Sequence, residues 1–262
     1  MNKGLMIAVV GMASLCVLGT AQATILHQQD FEGGTTADWN SYKSTLTIGT
    51  DSTSGNKYLV LTDPTTIPEG YHSGAYSWLG GARSNLGVNW SSSADVFIDL
   101  NDSRIATGKY GFDLTQAMYD TGGSHEQDNI FHVGAADPEG DGTYSVYLNA
   151  SHNTDFETNA YKLTHTSPAY SDGLTPGVFT ESGWYTFGVS FAESTDPGHP
   201  NHIDVQFSVH DDQGTEFWAT SPKTSVMSRA ESLAMAGLVV GTVAPTKPML
   251  AWLSGFGLLV LS

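Results

Sequence analysis

Between residues 183 and 219 the chain alternates. Tyr185, Phe187, Val189 and Phe191 are separated by Thr186, Gly188 and Ser190, and Ile203, Val205, Phe207 and Val209 by Asp204, Gln206 and Ser208. A period of two marks a strand with one buried face and one wet face. Asp211-Asp212-Gln213-Gly214 follows as a tight turn whose glycine can take a positive φ, and residues 216–219 return as a third strand. Together they predict an antiparallel meander whose apolar face needs a second layer to cover it.

The pattern recurs upstream. In residues 93–100, Val96, Ile98 and Leu100 share one face while Asp95, Phe97 and Asp99 share the other. Residues 57–62 (KYLVLT) read as a buried strand behind the turn Ser54-Gly55-Asn56, and residues 24–31 as a first strand closed by Glu32-Gly33-Gly34. Residues 39–48 are mixed, with strand character at Leu46 and Ile48, and 63–87 form a loop rich in glycine and aromatics. Further strands are expected at 110–119, 129–136, 144–150 and 161–165. Strands and turns recur roughly every ten to fifteen residues, and no stretch from 24 to 223 holds a helical period. The prediction is an all-β domain, a β-sandwich of two packed antiparallel sheets.

Both ends of the chain break this pattern. Residues 1–23 have a basic start at Lys3, an apolar run over 5–18 and small residues at Ala21-Gln22-Ala23, the layout of a secretory signal peptide. The expected address is therefore secreted or cell envelope. Cys16, the single cysteine, lies within that run, so the exported part has neither a disulfide nor a thiol nucleophile. Residues 233–244 and 249–261 are apolar and separated by Pro245-Thr246-Lys247-Pro248. As a helix the second run would reach roughly 20 Å, short of a ~30 Å hydrocarbon core. We read 24–225 as the sandwich and 226–262 as a hydrophobic tail, either a membrane-inserting sorting segment that attaches the protein to the envelope or an end that packs on the domain.

Charge narrows the partners. Ten Lys and Arg stand against 27 Asp and Glu, a formal net charge of −17. Such a surface repels phosphate backbones, which argues against nucleic acid, and it leaves carboxylates for divalent cations.

The runs Tyr110-Gly111-Phe112-Asp113, Asp128-Asn129-Ile130-Phe131-His132-Val133-Gly134 and Asn149-Ala150-Ser151-His152-Asn153, with Ser182-Gly183-Trp184-Tyr185-Thr186-Phe187, resemble a group of exported bacterial proteins of the PEP-CTERM type. The resemblance covers residues 95–218 and implies a concanavalin A-like (lectin/glucanase) jelly roll with no assigned chemistry. Residues 226–262 depart from the group's closing pattern: Val243-Ala244-Pro245-Thr246 stands where its Pro-Glu-Pro motif would be.

Chemistry-bearing motifs are sparse. Glycosidases on such sandwiches place paired carboxylates on one strand as Glu-x-Asp-x-x-Glu, and this chain has none; Glu126 and Asp128 are the nearest approach. In the loop 137–142, Asp137, Glu139 and Asp141 alternate before Gly142, a spacing that suits Ca²⁺, although Leu148 stands where a calcium loop needs a glutamate. Asp30 and Glu32 are similar to a first-strand pair in carbohydrate-binding jelly rolls, which implies a structural calcium with a late acid such as Asp204. His125, His132 and His152 lack zinc-ligand spacing, and His132, sharing a face with Ile130, is expected to be a hydrogen-bonded histidine at the edge of the core. A sugar platform needs exposed aromatics beside polar groups, and the candidates are Tyr71, Tyr76 and Trp78, then Tyr119 and Asp120. These features point to an exported, non-catalytic sandwich that binds polysaccharide or belongs to the envelope or matrix. The alternatives are a divergent carbohydrate-active enzyme using Glu126 and Asp128, and a purely structural surface protein.

Overall fold

A computed structural model describes residues 24–27, 31–37, 39–52, 54–62, 72–77, 89–119, 125–152, 176–228, 234–243 and 250–261. The expected two-sheet, all-β antiparallel sandwich is what these residues form. One sheet has nine strands, with β13 (Glu216–Ala219), β12 (His202–Asp211), β11 (Gly183–Glu193), β6 (Trp90–Ile98), β16 (Leu250–Leu261), β4 (Lys57–Thr62) and β3 (Thr45–Thr50) in spatial order. In it β1 (Thr24–His27) also pairs with β16, and β14 (Lys223–Ser228) with β12. The other has seven: β10 (Gly177–Phe179), β9 (Ser145–His152), β8 (His125–Ala136), β7 (Gly111–Tyr119), β15 (Ala234–Val243), β5 (His72–Ser77) and β2 (Trp39–Tyr42).

The alternation seen in the sequence sorts the side chains. Val96 and Ile98 of β6, Tyr185, Phe187, Val189 and Phe191 of β11, and the four apolar residues of β12 face the interior. They meet Phe112 and Leu114 of β7, Phe131 and Val133 of β8, and Val146 and Leu148 of β9 from the other sheet. Aromatic edges lock the layers together: Phe131 meets Phe187 at 5.2 Å and Phe207 at 5.0 Å, both near perpendicular. Each such ring taken from water is worth roughly 1.5–3 kcal/mol, which makes this seam the main source of stability. Beside it lies a cavity of about 10 Å³, lined by Ser92, Leu114, Gln116 and Phe187 among others, room for about one water.

Two expectations change at the ends. Residues 24–31 are not one strand: β1 stops at His27, and Phe31 turns the chain with a left-handed φ of 53° while its side chain is 3% exposed. Burial of that ring is what holds so unfavourable a backbone. The larger change concerns the boundary expected at 225, which is not an edge of the fold. β15 lies between β7 and β5, and β16 lies between β6 and β4. Near-continuous apolar runs suit a membrane segment and a central strand equally. As a strand, β16 extends about 3.3 Å per residue, enough to pair with β4 at one end, β6 along its length and β1 at the other. Gly255 and Gly257 fall at its register shift, where a bulge needs small residues. Among the described residues no helix is long and apolar enough to cross a membrane. The expected signal peptide at 1–23 and the expected strand at 161–165 lie outside them.

Candidate functional site

A strand that buries every second residue presents the others outward, so each sheet also has an outer face. On the nine-stranded sheet that face is aromatic. Leu59 and Leu61 of β4 point into the core, which sends Tyr58 and Val60 outward; by the same parity β6 presents Asp95 and Phe97, and β11 presents Trp184 and Thr186. Phe97 and Trp184 are direct cross-strand partners, and their rings meet edge-on at 5.3 Å.

Tyr58 belongs to β4, three strands from the β11 of Trp184 and about 14 Å away at the usual spacing, yet the two ring centroids are 6.0 Å apart. The rings therefore converge over β6 and β16. Trp252 of β16 takes the register position between Val60 and Phe97. Gly49 of β3, opposite Tyr58, makes this arrangement fit, since a Cβ there would come within 2.2 Å of the phenol ring.

Polar groups border the cluster. One register step along, the Thr186 hydroxyl donates to Asp95 Oδ1 at 2.6 Å, and His210 of β12 stands opposite Thr186. Burial, and secondarily the charge of Asp51, push the Tyr58 phenol above its ordinary range, so it remains a hydroxyl at neutral pH. Tyr58 is 5% exposed, so the accessible part of the cluster is the half-buried Phe97 and Trp184. Flanked by a carboxylate and a hydroxyl, these rings offer an apolar surface of the kind that the C–H face of a sugar ring can stack on.

The outer face of the seven-stranded sheet is polar. Asp113 of β7, His132 of β8 and Asn149 of β9 occupy one register row. His132 Nδ1 lies 2.7 Å from Asp113 Oδ1, with the two side chains 14% and 18% exposed. The sequence expected a hydrogen-bonded histidine sharing a face with Ile130, and it is one. Asn149 is 1% exposed; its Oδ1 accepts the Ala150 N–H, and among the described residues no acceptor is found for its Nδ2. The next row holds Gly111, Gly134 and Tyr147, and a Cβ on either glycine would meet only backbone within 4 Å. On the other side come Thr115 and Tyr76, which share a row across β15.

The candidates named from the sequence disperse over this frame. Tyr76 is on the polar face, half-buried. Tyr119 ends β7 with its side chain outside the described residues, as Tyr71, Trp78 and Asp120 lie outside altogether. Asp128 faces outward from β8, and Glu126 is the extra residue at the bulge between the pairs Gln127–Met118 and His125–Tyr119, with its side chain outside the described residues.

Of the calcium candidates, Asp137 accepts the backbone N–H groups of Gly140, Asp141 and Gly142, and Asp141 accepts that of Thr143, so these carboxylates close their own turn. Glu139 is exposed, Glu32 accepts the Lys57 N–H, Asp204 accepts the Thr195 N–H, and Asp30 lies outside the described residues. Among the described residues no three His, Cys, Asp or Glu side chains converge as a metal site would require. Sequence reasoning passed over Trp184 and Phe97, although an aromatic at a wet parity position is a legible signal.

No family model and no curated protein matches the chain. Solved structures do. A carbohydrate esterase from the Shiga toxin-encoding bacteriophage phi24B is 15% identical with a TM-score of 0.52, covering 92% of this chain and 100% of its own. The PL-14 alginate lyase of Aplysia kurodai is 12% identical with a TM-score of 0.52, covering 85% and 90%. A protein of unknown function from Shewanella oneidensis MR-1 is 9% identical with a TM-score of 0.50, covering 100% and 97%. At these identities the likeness shows the sandwich fold.

Proposed function

We propose that this is an exported, non-catalytic glycan-binding β-sandwich of the cell envelope or extracellular matrix. The observation that carries the reading is the convergence of Tyr58, Phe97 and Trp184 beside the Asp95–Thr186 hydrogen bond on an outer sheet face. A pyranose stacks on Trp184 and Phe97, and Asp95, Thr186 and the Tyr58 hydroxyl take its hydroxyl groups. Two supports are independent of that face: the leader-like residues 1–23, and the presence of a carbohydrate esterase and an alginate lyase among proteins of the same architecture. A glycan array with residues 24–262 tests it. Wild type binds at least one polysaccharide class, and Trp184→Ala, with an unchanged circular dichroism spectrum, loses that signal. An array blank for the wild-type protein sinks the reading.

One observation favours a second reading, a carbohydrate-active enzyme: the half-buried Asp113–His132 pair, in which a carboxylate orients an imidazole as in general-base sites. Chromatography of polysaccharide digests decides it. Products that appear with wild type and vanish with His132→Gln would replace the binding reading.

A further inference from the structure

We infer that the aromatic face selects uncharged glycans and rejects polyanionic ones such as polyuronates. This rests on the glycan reading of that face and adds the substrate class. The described outward positions of β3, β4, β6, β11 and β12 include Asp95 and Asp204 and no Lys or Arg. Asp51 adds a carboxylate whose charge reaches the Tyr58 phenol.

Two of the described cations are committed elsewhere. Lys57 donates its ammonium group to the backbone oxygen of Glu32, and the Arg104 guanidinium pairs with Asp102. A uronate or sulfate chain laid along this face would bring its charges to Asp95 with no Lys or Arg among those described outward positions to receive them, on a protein of net charge −17. A neutral sugar meets no such barrier, and a carboxylate is a strong acceptor for its hydroxyls. Selection here is a repulsive element placed beside an attractive one.

Affinity electrophoresis of residues 24–262 tests this with dextran, laminarin, hydroxyethyl cellulose and galactomannan, each run beside its own carboxymethylated derivative. The gels are run at pH 8. At about 0.01 M salt, where fields reach roughly 30 Å, the neutral member that retards the protein should do so at least tenfold more strongly than its carboxymethylated form. The gap should narrow near 0.5 M salt, and Asp95→Asn should narrow it at low salt. Equal or stronger retardation by the carboxymethylated form overturns the selection and leaves glycan binding standing. Retardation by none of the polymers removes both. Neutral retardation that survives Trp184→Ala moves the site off this face and overturns the inference.

Discussion

The two outer faces of the sandwich are built by one rule and carry opposite chemistry. In both, alternate residues fill a shared core, and the intervening positions point away from it. On the nine-stranded sheet those positions hold Tyr58, which is 5% exposed, and the half-buried Phe97 and Trp184, aromatics that lie outside the core cluster. On the seven-stranded sheet they hold Asp113, His132 and Asn149, with Gly111 and Gly134 beside them. The core parity is determined by stability alone, since any residue of suitable size and apolarity serves there. The outward parity is free of that demand, so departures from ordinary polar filling report on function. A pair of rings meeting across two strands is such a departure, and so is a half-buried Asp–His pair in mid-sheet.

The largest perturbation removes the ground under both faces. Deleting residues 229–262 takes out β15 and β16, which join β5–β2 and β4–β3 to the remaining strands of their sheets. Each sheet would split, and the core would open along its centre. We expect no cooperative unfolding transition and strong binding of an apolar dye, as scored by calorimetry and fluorescence. A truncated chain that melts as one sharp transition would show that 226–262 is an appendage after all.

A smaller change separates the faces. Trp184→Ala should weaken glycan binding by at least about 2 kcal/mol, the effect of losing a central aromatic anchor, while His132→Gln leaves affinity within twofold. Calorimetric titration of both variants checks this, and the reverse ranking would move the binding site to the polar face.

How far the sequence discloses these faces depends on whether the signal is local. The meander at 185–219 was legible because Phe187, Val189, Val205 and Phe207 repeat with period two inside a few residues. Phe97 between Asp95 and Asp99 was equally local, as was Trp184 beside inward-facing Tyr185. What joins them was not. Their meeting with Tyr58 depends on β16 entering between β6 and β4, a pairing between residues far apart in the chain and hidden by an apolar run without alternation. The loop 137–142 shows the converse. Its acid spacing was plain, but whether Asp137 faces a cation or the N–H groups of its own turn depends on backbone geometry that composition does not encode.

Gly49 tests the packing beneath the aromatic cluster. Gly49→Val would drive a side chain into the Tyr58 ring and displace it from Trp184. The expected cost is about 1–3 kcal/mol in urea denaturation, with weaker glycan binding. The matching change on the polar face, Gly134→Ala, meets only backbone, at 3.6 Å or more, and should cost less. Equal costs would mean that the Tyr58 ring is not held in place as described.

The smallest effect comes from the Tyr58 hydroxyl. Its pKa is raised in the fold, first by burial and then by Asp51, whereas in the unfolded chain it ionises near 10. The unfolded state therefore loses its proton first. The corresponding stability is fully present below about pH 10 and is lost as pH rises through the folded value. Tyr58→Phe removes that loss, so its stability relative to wild type should be flat from about pH 6 to 9 and improve above about 10. The relative value isolates Tyr58, because Tyr110 and Tyr185, also shifted upward by burial, are present in both proteins and cancel. Denaturation midpoints across this range provide the check. A relative stability that already changes below pH 9 would mean the Tyr58 phenol ionises within the fold at neutral-to-mild pH, and the aromatic face would then carry a charge where a sugar requires a donor.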